Sequence, residues 1–256
     1  MTDQPVVLTE AIDGVLVITI NRPEAKNAVN KAVAERIAAA LDRLDQDDDL
    51  RVGILTGAGG TFCAGMDLKA FVSGEFPNVE GRGFGGMTER SADKPLIAAV
   101  EGYALAGGCE LAISCDLIVA ADNSQFGIPE VKRGLVAAAG GLVRLPGQIP
   151  YRIAMELALT GEFMSAQRAA DLGLVNQITP AGGALEAARA MAAKIAENGP
   201  LAVRLSKAVI KASRDWSQDE TFTLQQKLIQ PVFTSKDAIE GATAFAEKRK
   251  PQWTGR

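Results

Sequence analysis

The N-terminal half of the chain alternates between strand-like and helix-like patterns of apolar residues. Residues 14–20 are a β-branched run that predicts a buried strand, and residues 52–56 predict another. Between them Asn30 is of a type that caps helices, and an apolar stripe then recurs at helical spacing: Val33, Ile37, Leu41 and Leu44. The order strand, helix, strand predicts parallel pairing through a right-handed crossover.

A second cycle of the same kind follows a stretch of weak periodicity. Residues 73–94 are rich in glycine and charge and predict a loop region or mobile lid. Residues 95–100 predict a strand, residues 108–115 a helix and residues 117–121 a further strand. Because Gly-x-Gly-x-x-Gly is absent in the required context, these repeated strand–turn–helix units do not predict a dinucleotide-binding fold.

The C-terminal part of the sequence has the pattern of successive helices. This pattern starts at about Tyr151, and Gly199-Pro200 interrupts it. We therefore predict a core over residues 1–198 and a helical region over residues 199–256. The apolar stripes of that region need a partner surface, which is either the protein's own core or another subunit.

The composition narrows the chemistry. The 256 residues include no histidine, which excludes Ser-His-Asp and Cys-His catalysis and removes the commonest metal ligand, so we expect no metal site. Cys63, Cys109 and Cys115 lack zinc-like spacing and are expected to be buried thiols rather than nucleophiles. The formal net charge of −4 argues against nucleic-acid binding. A basic excess in residues 201–256 indicates a solvated face or a rim for an anionic ligand such as phosphate.

The apolar runs are too short to cross a membrane. The longest, residues 15–20 and 96–100, have the length of strands. The first ten residues carry acidic side chains and lack the apolar segment of a signal peptide. The sequence therefore predicts a soluble, cytoplasmic protein.

Two glycine-rich turns are the strongest candidates for function. We call residues 56–68 the first glycine turn and residues 101–111 the second glycine turn; each predicts a strand that ends in glycine and reopens as a helix. Such turns aim unpaired backbone N–H groups at one point, and those of Met66 and Gly107 would form an oxyanion hole. Taken alone, each turn is better explained as an ordinary strand-to-helix connection, because short glycine motifs are common.

Two glutamates follow the same turns. Glu110 lies in the first turn of its predicted helix within an apolar stretch, so we expect it to be buried with a raised pKa. Glu130 follows the proline-fixed turn at residues 126–129. Two carboxyls beside one oxyanion hole would form a general acid–base pair able to hold a water, which predicts chemistry on an acyl group.

These motifs and several others resemble the enoyl-CoA hydratase/isomerase (crotonase) superfamily. The resemblance covers nearly the whole chain and rests on residues 21–28, 62–68, 102–116, 126–130, 172–175 and 237–249. It implies an α/β fold, a spiral of repeated ββα units with a helical C-terminal trimerisation part. It also implies homotrimers that often pair into hexamers.

The resemblance also assigns residues to roles. It places the oxyanion N–H groups on Met66 and Gly107 and the catalytic carboxyls on Glu110 and Glu130. Coenzyme A is then part of the substrate, with no separate cofactor. The implied CoA contacts fall on Lys26, Ala28, Ala64, Gly65, Asp67, Leu68 and Lys69. Phe245 and Lys248, from this or a neighbouring subunit, are implied to hold the adenine and the 3′-phosphate, although a solvated surface lysine explains Lys248 equally well.

Because both glutamates are present, the resemblance favours an enoyl-CoA hydratase. Both carboxyls would hold the water that adds to Cβ of a trans-2-enoyl thioester; Glu110 would activate the water and Glu130 would deliver a proton to Cα. Three alternatives stay open. They are a Δ3-Δ2-enoyl-CoA isomerase, which needs one base, a dehydratase of a specialised acyl-CoA, and a non-catalytic acyl-CoA binder.

Three residues depart from the superfamily pattern. Ala106 stands at the first position of the usual triple glycine, Glu101 replaces a common asparagine, and Ala138 stands at a usual glycine beside the acyl group. These changes leave the substrate open. The sequence also does not decide the acyl chain length, the pathway or the choice between trimer and hexamer.

Overall fold

The computed structural model describes residues 4–256. Its strands are β1 (Val7–Ile12), β2 (Val15–Ile20), β3 (Val52–Gly57), β4 (Asn78–Val79), β5 (Gly83–Phe84), β6 (Leu96–Val100), β7 (Tyr103–Leu105), β8 (Leu117–Ala121), β9 (Gln125–Gly127), β10 (Met164–Ser165) and β11 (Gln177–Thr179). Its α-helices are α1 (Lys31–Gln46), α2 (Leu68–Val72), α3 (Gly107–Ser114), α4 (Gly141–Arg144), α5 (Tyr151–Thr160), α6 (Ala166–Asp171), α7 (Ala184–Ala196), α8 (Pro200–Ala212), α9 (Thr221–Phe233) and α10 (Lys236–Glu247).

The largest sheet has the strand order β1-β2-β3-β6-β8-β11. All its pairs are parallel except β1–β2, a hairpin closed by Asp13 and Gly14, both at positive φ. The predicted parallel pairing of β2 with β3 is confirmed. The predicted helix cap is confirmed as well, because the Asn30 side chain accepts a hydrogen bond from Val33 N at 3.1 Å. Strand β1 was not anticipated because most of its side chains are exposed and it lacks a strand-like apolar pattern.

A second, three-stranded sheet has the order β10-β9-β7. Strands β6 and β8 of the large sheet are each followed directly by β7 and β9 of this smaller sheet, and α3 follows β7. This repetition of strand, strand and helix is the predicted ββα spiral. The parallel strands β2, β3, β6, β8 and β11 therefore all end at one edge of the large sheet.

The two faces of the large sheet pack against different helices. Successive β2 residues alternate between them: Leu16 and Ile18 join the core that includes α1, whereas Val15 and Val17 join a second cluster. The second cluster is closed by three alanines of α7: Ala184, Ala188 and Ala192. Both faces of the parallel strands are therefore buried, as parallel sheets require.

One expectation about local structure was wrong. The region after Tyr151 is not only helical, because it contains β10 and β11, which add to β9 and β8. Strands of two or three residues owe their conformation to the partner strand, so they leave no periodic signal in the sequence.

The stretch 73–94 is largely a loop region, one of the two predicted alternatives, but part of it is packed into the core instead of standing out as a lid. It forms the β4–β5 hairpin, and residues 82–88 are buried. Buried Arg82 pairs with Asp42 of α1, and Gly86 lies so close to α1 that a β-carbon there would be 2.2 Å from the Ala34 carbonyl oxygen. Glycine-rich packing of this kind lacks side-chain periodicity, so the sequence pattern missed it.

The C-terminal helical part is present as predicted. Helix α7 ends at Ala196 and α8 starts at Pro200, in agreement with the proline-marked break, while the division into two domains stays a prediction. Every residue of α8 and α9 is at least partly exposed, and large apolar side chains such as Phe222 and Phe233 face outward. Over residues 4–256, no helix combines the length and apolar character needed to cross a bilayer.

Glu101 has a structural role that explains its replacement of asparagine. Its two carboxylate oxygens accept from Gly182 N and Ala184 N, both at 3.0 Å, at the start of α7. Glu101→Ala leaves these N–H groups without that acceptor and is expected to lower the free energy of unfolding by about 1–2 kcal/mol, measured by urea denaturation. Glu101→Gln keeps one acceptor and should lose less; equal stability of all three proteins would contradict the capping role.

Candidate active site

The two glycine turns lie side by side. Cys63 and Leu105 join them through backbone hydrogen bonds, Cys63 N to Tyr103 O at 2.8 Å and Leu105 N to Cys63 O at 3.0 Å. A β-carbon built on Gly65 would lie 3.3 Å from Gly107 N. The start of α3 therefore directly adjoins the residue before Met66, as the sequence predicts for an oxyanion hole.

Both candidate N–H groups are available to a ligand. Val29 bridges the first glycine turn by bonding Gly65 O and Asp67 N, which leaves Met66 N out of the ladder. Gly107 N belongs to the first turn of α3, where helical N–H groups lack intrahelical acceptors. Within residues 4–256 neither N–H donates to a protein acceptor, and both residues line the same cavity.

Close packing explains the glycines of the second glycine turn. A β-carbon on Gly108 would lie 2.1 Å from the Cys63 carbonyl oxygen, and one on Gly107 would lie 2.4 Å from the ring of Phe84. Ala106 departs from the glycine pattern although its φ of 52° and ψ of −129° belong to a region that favours glycine. The turn is therefore built with strain at Ala106, next to a candidate oxyanion donor.

Glu110 is buried in the first turn of α3. It is 2% exposed, and its Oε1 accepts from Gly141 N at 2.8 Å. The pKa of Glu110 is raised to about 7, chiefly by burial and also by the negative charge of Glu130, against the lowering effects of the Gly141 and Ala139 N–H groups and of the Arg144 guanidinium. The burial and the near-neutral pKa expected from the sequence are both found.

Glu130 reaches the same cavity from a different element. Pro129 starts the 3-10 helix Pro129–Arg133, which places Glu130 in its first turn. In the described part of the chain, its Oε2 is buried and has no hydrogen-bond partner. Burial raises the pKa of Glu130 too, against the lowering effects of its own backbone N–H and of Arg133. The cavity thus holds two carboxyls that both keep protons more readily than free glutamate does.

The raised pKa of Glu110 should lower the free energy of unfolding at neutral and alkaline pH. The folded pKa of about 7 lies above the usual value, so stability is lost as pH rises from about 4.5 to 7. Glu110→Gln removes this loss: at pH 8 it should raise the free energy of unfolding by about 3 kcal/mol, and at pH 4.5 it should change it little. Urea denaturation at the two pH values, with exposed Glu186→Gln as control, measures the difference. Equal effects of Glu110→Gln at both pH values would contradict the raised pKa.

The cavity has a volume of about 850 Å³ and contains most of the predicted machinery. The predicted residues in its wall are Lys26, Ala64, Met66, Leu68, Gly107, Glu110 and Glu130. Ala138, which stands where the superfamily usually has glycine, also lines the cavity. A cavity of this volume, with apolar side chains around two carboxyls, suits a ligand with an apolar chain and one reactive polar group.

Six other predicted contacts fall outside this wall. Four of them lie close in sequence to residues that line the cavity but do not line it themselves: Ala28, Gly65, Asp67 and Lys69. The Asp67 carboxylate caps α2 through Lys69 N and Ala70 N and pairs with Arg22 at 2.9 Å, so it serves the turn itself. Phe245, 88% exposed, and Lys248 lie at the end of α10 on the surface, separate from the cavity of their own chain.

The structure adds residues that the sequence pattern did not reveal. Phe84 packs on Gly107, Gly141 donates to Glu110, and Arg144 contacts the Gly141 turn. The Gly140-Gly141 pair can be seen in the sequence, but the hydrogen bond from Gly141 N to Glu110, 31 residues earlier, depends on the tertiary fold. The three cysteines are buried free thiols, as predicted, and burial raises the pKa of Cys63 and Cys109 to about 12, so they stay protonated.

Comparison with known proteins agrees with this fold. The structure belongs to the crotonase-fold class: an enoyl-CoA hydratase of Mycobacterium tuberculosis H37Rv superposes with a TM-score of 0.97 at 64% identity, covering 99% of this chain and 100% of the other. The sequence model of the enoyl-CoA hydratase/isomerase family matches residues 10–256, and the chain belongs to that family. The resemblance seen in the sequence is therefore confirmed.

Two curated relatives carry different names. Enoyl-CoA hydratase EchA19 of M. tuberculosis is 42% identical over 259 residues, covering 98% of this chain and 97% of its own length. Carnitinyl-CoA dehydratase of Proteus mirabilis is 42% identical over 250 residues, covering 94% and 95%. The relatives thus include one named a hydratase and one named a dehydratase.

Proposed function

We propose that this protein is an enoyl-CoA hydratase, which adds water across the trans-2 double bond of an acyl-CoA thioester. The observation that carries the proposal is the cavity shared by Glu110, Glu130 and the two unpaired N–H groups of Met66 and Gly107. The pair of carboxyls supplies a base and an acid, and the N–H pair supplies a site for negative charge. Addition of water at the β-carbon of an unsaturated thioester uses the base, the acid and the site for negative charge.

The hydrogen bonds suggest which carboxyl starts with the proton. Gly141 N–H donates to Glu110 Oε1, which favours the ionised form of Glu110. The Oε2 of Glu130 has no donor among the described residues, so it is free to carry a proton. We therefore assign the base to Glu110 and the acid to Glu130.

The proposed reaction then follows. Glu110 takes one proton from water while the water oxygen bonds to Cβ, and the electron pair of the double bond moves toward the thioester oxygen. The N–H groups of Met66 and Gly107 stabilise the resulting enolate oxygen. When the enolate collapses, Cα takes the proton of Glu130, which gives a 3-hydroxyacyl-CoA.

Binding of coenzyme A is proposed on the side of the first glycine turn. Lys26, Ala64 and Leu68 line the cavity there, and Ala28, Gly65, Asp67 and Lys69 would contribute through adjoining backbone. Phe245 and Lys248 lie outside the cavity of their own chain, so we propose that they reach the nucleotide of a neighbouring subunit. This arrangement needs a homotrimer or a hexamer, and the exposed apolar residues of α8 to α10 support such assembly.

A dehydratase of a specialised acyl-CoA is the second candidate. It is favoured by the carnitinyl-CoA dehydratase relatives and would use the same residues in reverse. A Δ3-Δ2 isomerase needs one base only, so the presence of two carboxyls favours it less. The proposed chemistry uses only this chain's own groups and the substrate, with no metal or redox cofactor, in the cytoplasm.

The test follows the ultraviolet absorbance of the conjugated enoyl thioester with purified protein and trans-2-enoyl-CoAs of increasing length. A hydratase removes the absorbance and ranks the chain lengths. With 3-enoyl-CoAs an isomerase instead produces absorbance. Retained absorbance across the trans-2 series, with intact acyl-CoA binding, would contradict the proposal.

A further inference from the structure

Arg144 lies beside the turn that contacts Glu110. It ends α4, and its guanidinium donates to Ala139 O at 3.3 Å through Nη1 and to Thr88 O through Nη2. The guanidinium passes directly over Gly140, where a β-carbon would lie 1.7 Å from Nη1. Arg144 therefore ties the 139–141 turn to the wall formed by Thr88.

The same turn is also held by Glu110. Gly141 N donates to Glu110 Oε1 at 2.8 Å, and a β-carbon on Gly141 would lie 3.1 Å from that oxygen. Arg144 and Glu110 thus contact the same three-residue turn, at Ala139 and at Gly141. Movement of the guanidinium would release the turn and with it the hydrogen bond to Glu110.

Charge adds a second connection between the two side chains. The other ionisable residues that line the cavity around Glu110 are Lys26, Glu89, Tyr103, Glu130, Arg133 and Arg144. Of these, Glu130 and Arg144 act on Glu110, and Arg144 alone opposes the effects of burial and of Glu130, lowering the pKa of Glu110. Arg133 acts instead on Glu130.

We propose that Arg144 is a positioning residue for Glu110: it fixes the 139–141 turn that hydrogen-bonds the carboxyl and supplies the positive charge that compensates it. Arg144 acts through Glu110 and the turn. Its kinetic consequence rests on the proposed function, whereas its effect on the ionisation of Glu110 does not.

The first test measures that ionisation without using activity. The stability gained on Glu110→Gln is followed from pH 4.5 to 10 by urea denaturation in the parent, Arg144→Lys and Arg144→Gln backgrounds. The gain should level off near pH 7 in the parent and the Lys background, and about one pH unit higher in the Gln background. The same plateau in all three backgrounds would overturn the proposal. Arg144→Met serves as the neutral variant where Arg144→Gln does not fold.

The second test follows kcat/KM for hydration against pH in the same proteins. A tenfold weakening of the Glu110 acid lowers its ionised fraction at pH 7 about fivefold, so Arg144→Gln should lose about fivefold relative to the parent at pH 7 and approach the parent's value above pH 9. Arg144→Lys should keep the parent profile, and KM should change little. A pH-independent loss in both variants would reveal a merely structural role and overturn the proposal. If no thioester is hydrated, the proposed function fails, and the stability test still decides the role of Arg144.

Discussion

Glu110→Gln and Glu130→Gln are each expected to lower kcat for hydration by about a thousandfold, while acyl-CoA binding is retained. Glutamine keeps the size of the side chain and one oxygen acceptor, including that for Gly141 N, but it neither takes nor delivers a proton at neutral pH. Hydration needs both transfers, so each substitution removes one. Steady-state kinetics and calorimetric titration with a saturated acyl-CoA measure the two quantities separately.

Glu186→Gln is the matched control, because Glu186 is exposed on α7. It should turn over like the parent. If Glu110→Gln and Glu130→Gln did so as well, the assignment of the chemistry to these carboxyls would be wrong. If only one of them lost activity, hydration would depend on a single carboxyl and the assigned acid–base pair would be wrong.

Gly108→Ala should separate the two glycine turns and lower kcat/KM about a hundredfold. The new β-carbon would meet the Cys63 carbonyl oxygen at 2.1 Å, and backbone on both sides has little freedom to yield. A shift of about 1 Å is enough to misalign donors aimed at one oxygen. We also expect a loss of about 1–3 kcal/mol of stability from overpacking. Kinetics and urea denaturation measure both effects.

Gly147→Ala is the matched control for this substitution. A β-carbon at Gly147 would have open space around it, so stability and kcat/KM should stay close to those of the parent. Gly108→Ala with parent-like kcat/KM would contradict the requirement for close approach of the turns. Loss of stability with unchanged kcat/KM would limit Gly108 to a packing role.

The parts of the site that the sequence predicted are those carried by local pattern. The glycines of the two turns, the helix after each turn, and Glu110 in an apolar first turn are all properties of neighbouring residues. Helix α2 starts at Leu68 with Asp67 as its cap, at the end of the first glycine turn, where a helix was predicted. Local patterns locate elements to within a residue or two.

The parts that could not be predicted depend on contacts between distant segments. Gly141 bonds Glu110 across 31 residues, and Arg144 bonds Thr88 across 56. Glu101 caps α7 from 83 residues away. Nothing in the local sequence around these residues specifies the partner. For the same reason the resemblance implied ligand contacts for Phe245 and Lys248 but left open which subunit would use them, and these contacts stay a prediction.

The most direct test of the central claim is mass spectrometry of the product formed from a trans-2-enoyl-CoA in ¹⁸O-labelled heavy water. A hydratase in which one carboxyl activates water and the other delivers a proton to Cα should give a 3-hydroxyacyl-CoA with one ¹⁸O at C3 and one deuterium at Cα. Deuterium without ¹⁸O would show proton transfer alone and would contradict hydration. Recovery of unlabelled substrate under the same conditions would contradict the assigned chemistry altogether.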